Sequence, residues 1–381
     1  MSILGFLLWF WAMMVAGAAG TALWRSVRLA RPGRAHSIPP ARVRIVRPAT
    51  GAAGWLAEGL RSGTLEGRDV RWVLTTASAQ DPATRIAEAT VHRFREEGRS
   101  SDLLVGRIPG PNRKVAQLAI AESDHGRGDA MVVADADVDL DRVDLDALLA
   151  ELGRPGVGAV WSPVAEDSEA TLGDRASAAV LSGSLHAFPL LCGIDQRGLV
   201  GKLFAVRAEA LEAAGGFAAL VQYLGEDMEL ARRLDEAGWT IRALPQGARS
   251  LARDRSLPEV IARHARWATV IRSQRPARLL AYPLLFGATT PLLLGAAALS
   301  LALPLPAALI AALTLLTRLS VAAVARRRAG LSIGPRPLLE AVGLAELVLW
   351  AAFLRALQGP EVTWAGRRLR VAAGGILQER S

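Results

Sequence analysis

Two acidic segments and one basic, aromatic stretch carry the residue types that could do chemistry in this chain. The segment DADVDLDRVDLD (135–146) contains Asp-x-Asp four times, at 135/137, 137/139, 139/141 and 144/146, so the pattern alone discriminates nothing. Position does better. Asp135 and Asp137 follow the apolar run AMVVA (130–134). If that run is a strand of a parallel sheet, both carboxylates stand at its carboxyl edge, where open α/β sheets bind ligands. Two carboxylates one residue apart can share a hard divalent cation, Mn²⁺ or Mg²⁺, which in turn bridges nucleotide phosphates. The same acids can equally form a solvated turn, with Asp141 or Asp144 capping the next helix.

Glu226-Asp227 opens an expected helix after the stretch GGF (215–217). A carboxylate there can cap the helix, or act as a general base toward an attacking hydroxyl. In RHARWATVIRSQRP (263–276), Arg263, Arg266 and Trp267 are spaced i, i+3, i+4 and share one helix face. Two guanidinium groups and an indole could clamp a pyrophosphate and pack on a sugar or acceptor. They could also be an interfacial belt before a membrane span. Arg272, Arg275 and Arg278 read as a collar at the membrane surface.

These side chains need a framework. VRIVRP (43–48), VRWVLTTA (70–77), DLLVG (102–106), AMVVADAD (130–137), VGAVWSP (157–163), GLVGKLFAVR (198–207) and WTIRAL (239–244) read as buried strands. Helical stretches lie between them, around 53–62, 82–97, 113–123, 144–152 and 226–238. Alternation of this kind implies βαβ units, hence an α/β fold with a mostly parallel, Rossmann-like sheet. Asp81-Pro82 offers an N-cap followed by Pro at the first helical position. Ser256 and Glu259 have capping-box spacing, which starts the helix carrying Arg263.

Around this framework lie membrane segments. Residues 3–24 are 22 residues without a charge, and Leu279 to Thr317 are 39 more. At about 20 residues per span these supply one and two helices, with Pro304 and Pro306 as the break. AGAAGTA (16–22) could pass for a signal cleavage site, but the basic residues come after the apolar run instead of preceding it. Arg25, Arg28, Arg31 and Arg34 therefore place the chain beyond them in the cytoplasm. The net charge is +9, yet 43 of the 45 basic residues are arginine and many flank apolar segments. That pattern serves topology and anionic lipid, and no nucleic-acid partner is expected. Cys192 is the single cysteine, which excludes a disulfide framework or cysteine metal site. The expected division is an N-terminal span (1–24), a basic linker (25–41), a catalytic domain (42–277), two spans (278–325), a basic loop (326–337), a third apolar helix that spans or lies at the interface (338–357) and a basic tail (358–381).

Taken in order, VRPATG (46–51), QDPA (80–83), PNRKVAQLA (111–119), VVADADV (132–138), AAGGF (213–217), YLGEDMELARRL (223–234) and RHARWATVIRSQRP resemble the lipid-directed family 2 type glycosyltransferases. The likeness is to the ceramide glucosyltransferase-like branch, which includes hopanoid-biosynthesis enzymes. TWAGRRLRV (363–371) also resembles the family's ending. The resemblance implies a cytoplasmic GT-A domain, a UDP-linked sugar donor, Mn²⁺ or Mg²⁺, and a membrane lipid hydroxyl as acceptor. It implies a multi-pass protein of the bacterial inner membrane. Carried over, Asp135 and Asp137 take the metal, and Asp227 is the catalytic base. Arg47, Pro48, Ser78, Asp81, Lys114, Asp135, Arg263, Arg266 and Trp267 serve the donor. Gly216, Phe217, Glu226 and Trp267 serve the acceptor, and transfer of glucose or N-acetylglucosamine inverts the anomeric centre. Two positions depart from the family: Ser78 stands where Asp usually contacts the base, and Arg47 replaces the usual Lys. A processive polysaccharide synthase, or a non-catalytic scaffold on a decayed transferase domain, are the competing readings.

Overall fold

Seven apolar runs become the strands of one sheet in the computed structural model, which describes residues 2–29, 37–123, 128–194, 197–244, 247–364 and 366–379. Residues 30–36 of the expected linker lie outside the described residues. The strands are β1 (Arg42–Ala49), β2 (Asp69–Thr76), β3 (Ser101–Val105), β4 (Ala130–Ala134), β5 (Val157–Trp161), β6 (Leu203–Arg207) and β7 (Thr240–Ala243), in the order β3-β2-β1-β4-β6-β5-β7. All neighbours pair in parallel except β6, which runs antiparallel to both β4 and β5. Val132, Val133 and Ile45 are fully buried, as strands covered on both faces require. One layer of the core joins Ile45, Val132, Leu148 and Val160, and another joins Leu56, Leu60, Leu74 and Ala87. Strand order reverses between β1 and β4, which puts a crevice at their carboxyl ends.

The local signals behave as the sequence indicates. Asp81 accepts a bond from the Ala83 N–H and caps helix Pro82–Glu96, with Pro at its first position. Ser256 and Glu259 close a capping box at the start of helix Leu257–Gln274.

By internal contacts the chain forms two units. One contains the sheet (Ala30–Val164, Gln196–Ala252 and Gly375–Ser381), and the other Met1–Leu29, Ala165–Asp195 and Arg253–Gly374. The expected 42–277 domain is thus divided, because 165–195 and 253–277 group with the apolar helices. In that second unit Ile3–Ser26, Pro304–Arg328 and Pro335–Leu357 are long and apolar enough to cross a membrane. The third of these extends the expected 338–357 helix back to Pro335. Between the first two, Pro276–Phe286 and Thr289–Ser300 form a pair bent by 52°. A π-helical turn, Tyr282–Phe286, containing Pro283, lies just before the bend, and both features are ordinary causes of kinks.

Candidate active site

The acidic motif at the end of β4 is held as a turn from every side. The Asp135 N–H bonds the Lys202 carbonyl (2.8 Å), and the Val138 N–H bonds back to the Asp135 carbonyl (3.0 Å). Beneath it lies Arg47, entirely buried on β1. Its Nη2 donates to the carbonyls of Asp135 (3.0 Å) and Val138 (2.6 Å), and its Nη1 to the Gly59 carbonyl and to Ser62 Oγ (3.0 Å). Burial pulls Arg47 down to about 10, against the opposing pull of Asp137 and Asp135. Arg47 was expected to touch a donor; the structure instead gives its guanidinium to the backbone that presents the two carboxylates. Gly59, on helix Leu56–Arg61, comes so close to this turn that a Cβ would overlap the Ala136 carbonyl oxygen.

Each of the two carboxylates carries a cation. Lys114, from helix Arg113–Ser123, sits 2.7 Å from Asp135 and 3.6 Å from Glu226, and donates to the Gly201 carbonyl at 2.7 Å. Lys202 is paired with Asp137, which also accepts from Ser250 Oγ at 2.6 Å. These are the chain's two lysines. Burial works against the charge of Lys114, but Asp135 and then Glu226 outweigh it and hold the ammonium above its ordinary value. Lys202 and Ser250 escaped the sequence reading. The rarity of lysine in an arginine-rich chain was the one signal that could have found Lys202.

Glu226 and Asp227 start helix Glu226–Glu236 on the far side of Lys114. Asp227 accepts from the N–H groups of Gly201 (2.9 Å) and Met228 (2.8 Å). Burial pushes its carboxyl above the usual range, although Gly201 and Lys114 favour the charged form. Burial likewise raises Glu226 to about 7, against Lys114 and with the help of Asp227. Asn112 fixes the neighbourhood by donating to the Tyr223 carbonyl (2.8 Å) and to Glu226 (3.2 Å). The stretch 375–377 reaches here too: the Leu224 N–H bonds the Gly375 carbonyl (3.0 Å), and the Leu377 N–H bonds the Gln222 carbonyl (2.7 Å).

The remaining expected residues divide between the units. Pro48 lies on β1 opposite Thr75. The Ser78 carbonyl receives the Asp81 N–H (3.1 Å) and the Thr84 hydroxyl (2.8 Å). The Asp81 carboxylate binds Thr50 Oγ1 and the Gly51 N–H, both at 2.8 Å, besides its capping bond. Phe217 is buried, its N–H held by Glu122 (2.7 Å), and Gly216 has φ 71°. In the other unit Arg263 is bound to Glu166 (2.8 Å) and Ser177, with its guanidinium 5.3 Å from the Trp267 ring centre. Arg266 lies over Trp364 at 5.9 Å.

Asp135 and Asp137 are hard oxygen donors suited to Mg²⁺ or Mn²⁺. Among the described residues no three His, Cys, Asp or Glu side chains converge. Each of the two is already paired with a lysine, so an ion held there would share these carboxylates with Lys114 and Lys202 and need further ligands from solvent or a phosphate.

A comparison with known sequences decides the class: residues 7–377 match the family described as Glycosyl transferase family 21. This chain belongs to glycosyl transferase family 21. The family 21 enzyme is a glycosyltransferase with the GT-A fold. Mannosyltransferase PcManGT from Pyrobaculum calidifontis, solved with GDP-Man and Mn²⁺, is 21% identical, and the match covers 93% of this chain and 99% of that one at a TM-score of 0.51. Glucosyl-3-phosphoglycerate synthase from Mycobacterium tuberculosis, solved with phosphoglyceric acid, is 21% identical over 61% of this chain and 79% of its own, at a TM-score of 0.38. No curated protein matches the sequence.

Proposed function

We propose that this family 21 enzyme transfers glucose or N-acetylglucosamine from a UDP-sugar to the hydroxyl of a hopanoid- or ceramide-like lipid, with inversion. The observation that carries the reading is the Asp227 carboxylate, oriented by two backbone N–H groups and raised in pKa beside the Lys114–Asp135 pair. A carboxylate of raised pKa is a stronger base, and here it takes the acceptor hydroxyl's proton as the oxygen attacks the anomeric carbon. The bond from that carbon to the diphosphate breaks, and the leaving group departs with its electron pair. Lys114 meets the growing negative charge at a preorganised position.

Asp135 and Asp137 would hold Mn²⁺ or Mg²⁺, which when bound adds positive charge at the diphosphate. GDP-mannose and Mn²⁺, named for the Pyrobaculum enzyme, belong to the same chemical classes as the donor and ion proposed here. Arg47 and Gly59 shape the turn. Arg266 and Trp267 carry donor and acceptor roles only as the family resemblance assigns them, while Arg263 is tied to Glu166 beside the Trp267 indole. Three membrane-length helices support a lipid acceptor, and the basic residues Arg25 and Arg28 that follow the first apolar run are what supports a cytoplasmic catalytic unit.

Purified full-length protein, incubated with UDP-glucose or UDP-N-acetylglucosamine, Mn²⁺ and a bacterial lipid extract, is expected to give a lipid heavier by one sugar residue. A soluble saccharide product, or full transfer by Asp227→Asn, would contradict the proposal.

A further inference from the structure

Gly201 and Lys202, just ahead of β6, join the acidic turn to the helix start that carries Asp227. The Gly201 N–H donates to Asp227 (2.9 Å), and the Gly201 carbonyl accepts from Lys114 (2.7 Å). The Lys202 carbonyl accepts the Asp135 N–H (2.8 Å), and the Lys202 ammonium pairs with the Asp137 carboxylate. A Cβ at Gly201 would stand 3.2 Å from Asp227 Cβ, so this dipeptide is also packed closely against the proposed base.

The two lysines are held differently. Lys114 has three partners, Asp135 (2.7 Å), Glu226 (3.6 Å) and the Gly201 carbonyl, and keeps an anchor when Asp135 is claimed by another cation. Lys202 Nζ has Asp137 and, at 3.4 Å, Ser250 Oγ. Ser250 donates to the same carboxylate oxygen at 2.6 Å, from the short strand Ala248–Ser250 that pairs with Val138–Asp139. The carboxylate thus keeps its place when the ammonium leaves, whereas the ammonium loses its one strong partner. Both side chains are largely buried, so solvent ions screen the pair little.

Charge decides what this arrangement does to a divalent ion. Two carboxylates with one ammonium on each present no net charge, so they do not draw Mn²⁺ or Mg²⁺ from solution as a bare pair of carboxylates does. An ammonium on Asp137 also repels the ion at close range and has to move for the ion to bind there. A nucleotide diphosphate brings the missing negative charge and further oxygen ligands.

We infer that Lys202 is a tethered competitor of the divalent ion: it occupies Asp137 in the absence of nucleotide, yields that carboxylate when ion and diphosphate arrive together, and so keeps affinity for the free ion low. The inference rests on Asp135 and Asp137 being the ion's ligands, as proposed above. It makes binding of ion and nucleotide mutually reinforcing, each tightening the other by the same factor.

The test uses full-length protein in nanodiscs of neutral lipid, with Mn²⁺ binding read by electron paramagnetic resonance. Lys202→Met keeps the length of the side chain and removes its charge. It should tighten binding of free Mn²⁺ about tenfold, the equivalent of one charge-assisted bond that the ion no longer displaces, and UDP should then add less to Mn²⁺ affinity than in wild type. A lysine that merely props the turn predicts the reverse, since its loss would weaken the ion. A second measurement needs no variant. Lys114 and Lys202 are the chain's two lysines, so acylation of each is resolved by mass spectrometry. Saturating Mn²⁺ and UDP should speed acylation of Lys202 in wild-type protein severalfold over UDP alone, because an amine released from its ion pair is more open to the reagent. Mn²⁺ affinity equal to or below wild type in Lys202→Met of wild-type thermal unfolding overturns the inference, as does Lys202 acylation unchanged by Mn²⁺ that binds saturably. Absence of saturable Mn²⁺ binding in both proteins, with UDP present, overturns the ion site itself and the inference with it.

Discussion

Arg47→Lys separates a residue that touches the donor from one that builds the turn. The guanidinium reaches in two directions at once, to Gly59 and Ser62 on one side and to Asp135 and Val138 on the other. An ammonium keeps the charge but offers three donors from one point instead of five in a planar fork. It can hold one side, so two charge-assisted bonds are lost, at about 1.5–3 kcal/mol each. Water admitted to the gap offsets part of this, which leaves a local destabilisation of about 3 kcal/mol. A change of that size accelerates amide exchange roughly 100-fold where exchange proceeds by local opening. Hydrogen exchange read by mass spectrometry on a peptide spanning 130–140 should show it, since the Val138 N–H bonds within the turn and the Asp135 N–H bonds the Lys202 carbonyl. Affinity for UDP with Mn²⁺, read by calorimetry, should fall alongside. Lost nucleotide affinity with unchanged exchange would mean that Arg47 acts on the donor directly. No change in either would refute the clamp.

Four further outcomes are expected. Asp227→Asn should reduce transfer by about 10²-fold or more while leaving UDP affinity near wild type, because it removes a base and keeps the shape. Glu226, raised to about 7 from an ordinary 4.5, binds its proton more tightly when folded. Its contribution to stability is therefore full below about pH 4.5 and lost as the pH rises through 7, and Glu226→Gln should flatten that slope in chemical unfolding. Gly59→Ala places a methyl group against the Ala136 carbonyl, and should displace the Asp135–Asp137 turn and weaken Mn²⁺ binding, measured by electron paramagnetic resonance. Arg266→Ala should abolish transfer whereas Arg278→Ala leaves it largely intact; equal effects would remove the distinction between site and membrane collar.

Much of the framework was legible because its signals are local. Apolar runs bounded by turn residues gave all seven strands, and the caps at Asp81 and Ser256 formed as spelled. GLVGKLFAVR is instructive where it departs, since the strand begins only at Leu203. The Gly201 N–H is taken by Asp227, the Gly201 carbonyl by Lys114, and the Lys202 carbonyl by the Asp135 N–H. Side chains and a turn from distant parts of the sequence claim the groups that a ladder would have used. No local pattern reports that. The same holds for Arg47, whose burial depends on a turn 88 residues away. The bend at Gly287 was missed for another reason. A 39-residue uncharged run divides by length into two spans, but Pro283 and the π-helical turn act inside one of them.

The tail that bonds Gln222 and Leu224 has a consequence for how the enzyme is made. The sheet unit takes its chain from three stretches, and the last of these begins only at Gly375. A ribosome releases Pro304–Arg328 and Pro335–Leu357 before it releases Leu377, so the loop ahead of Asp227 waits on the order of ten seconds after its own synthesis for this partner. Through that interval the acidic pair lacks one of its supports. The loop ahead of Asp227 is thus completed only after the helix Pro335–Leu357 has been made, and a chain cut at 374 should lose the bonds to Gln222 and Leu224 and, with Asp227 as the proposed base, turn over slowly.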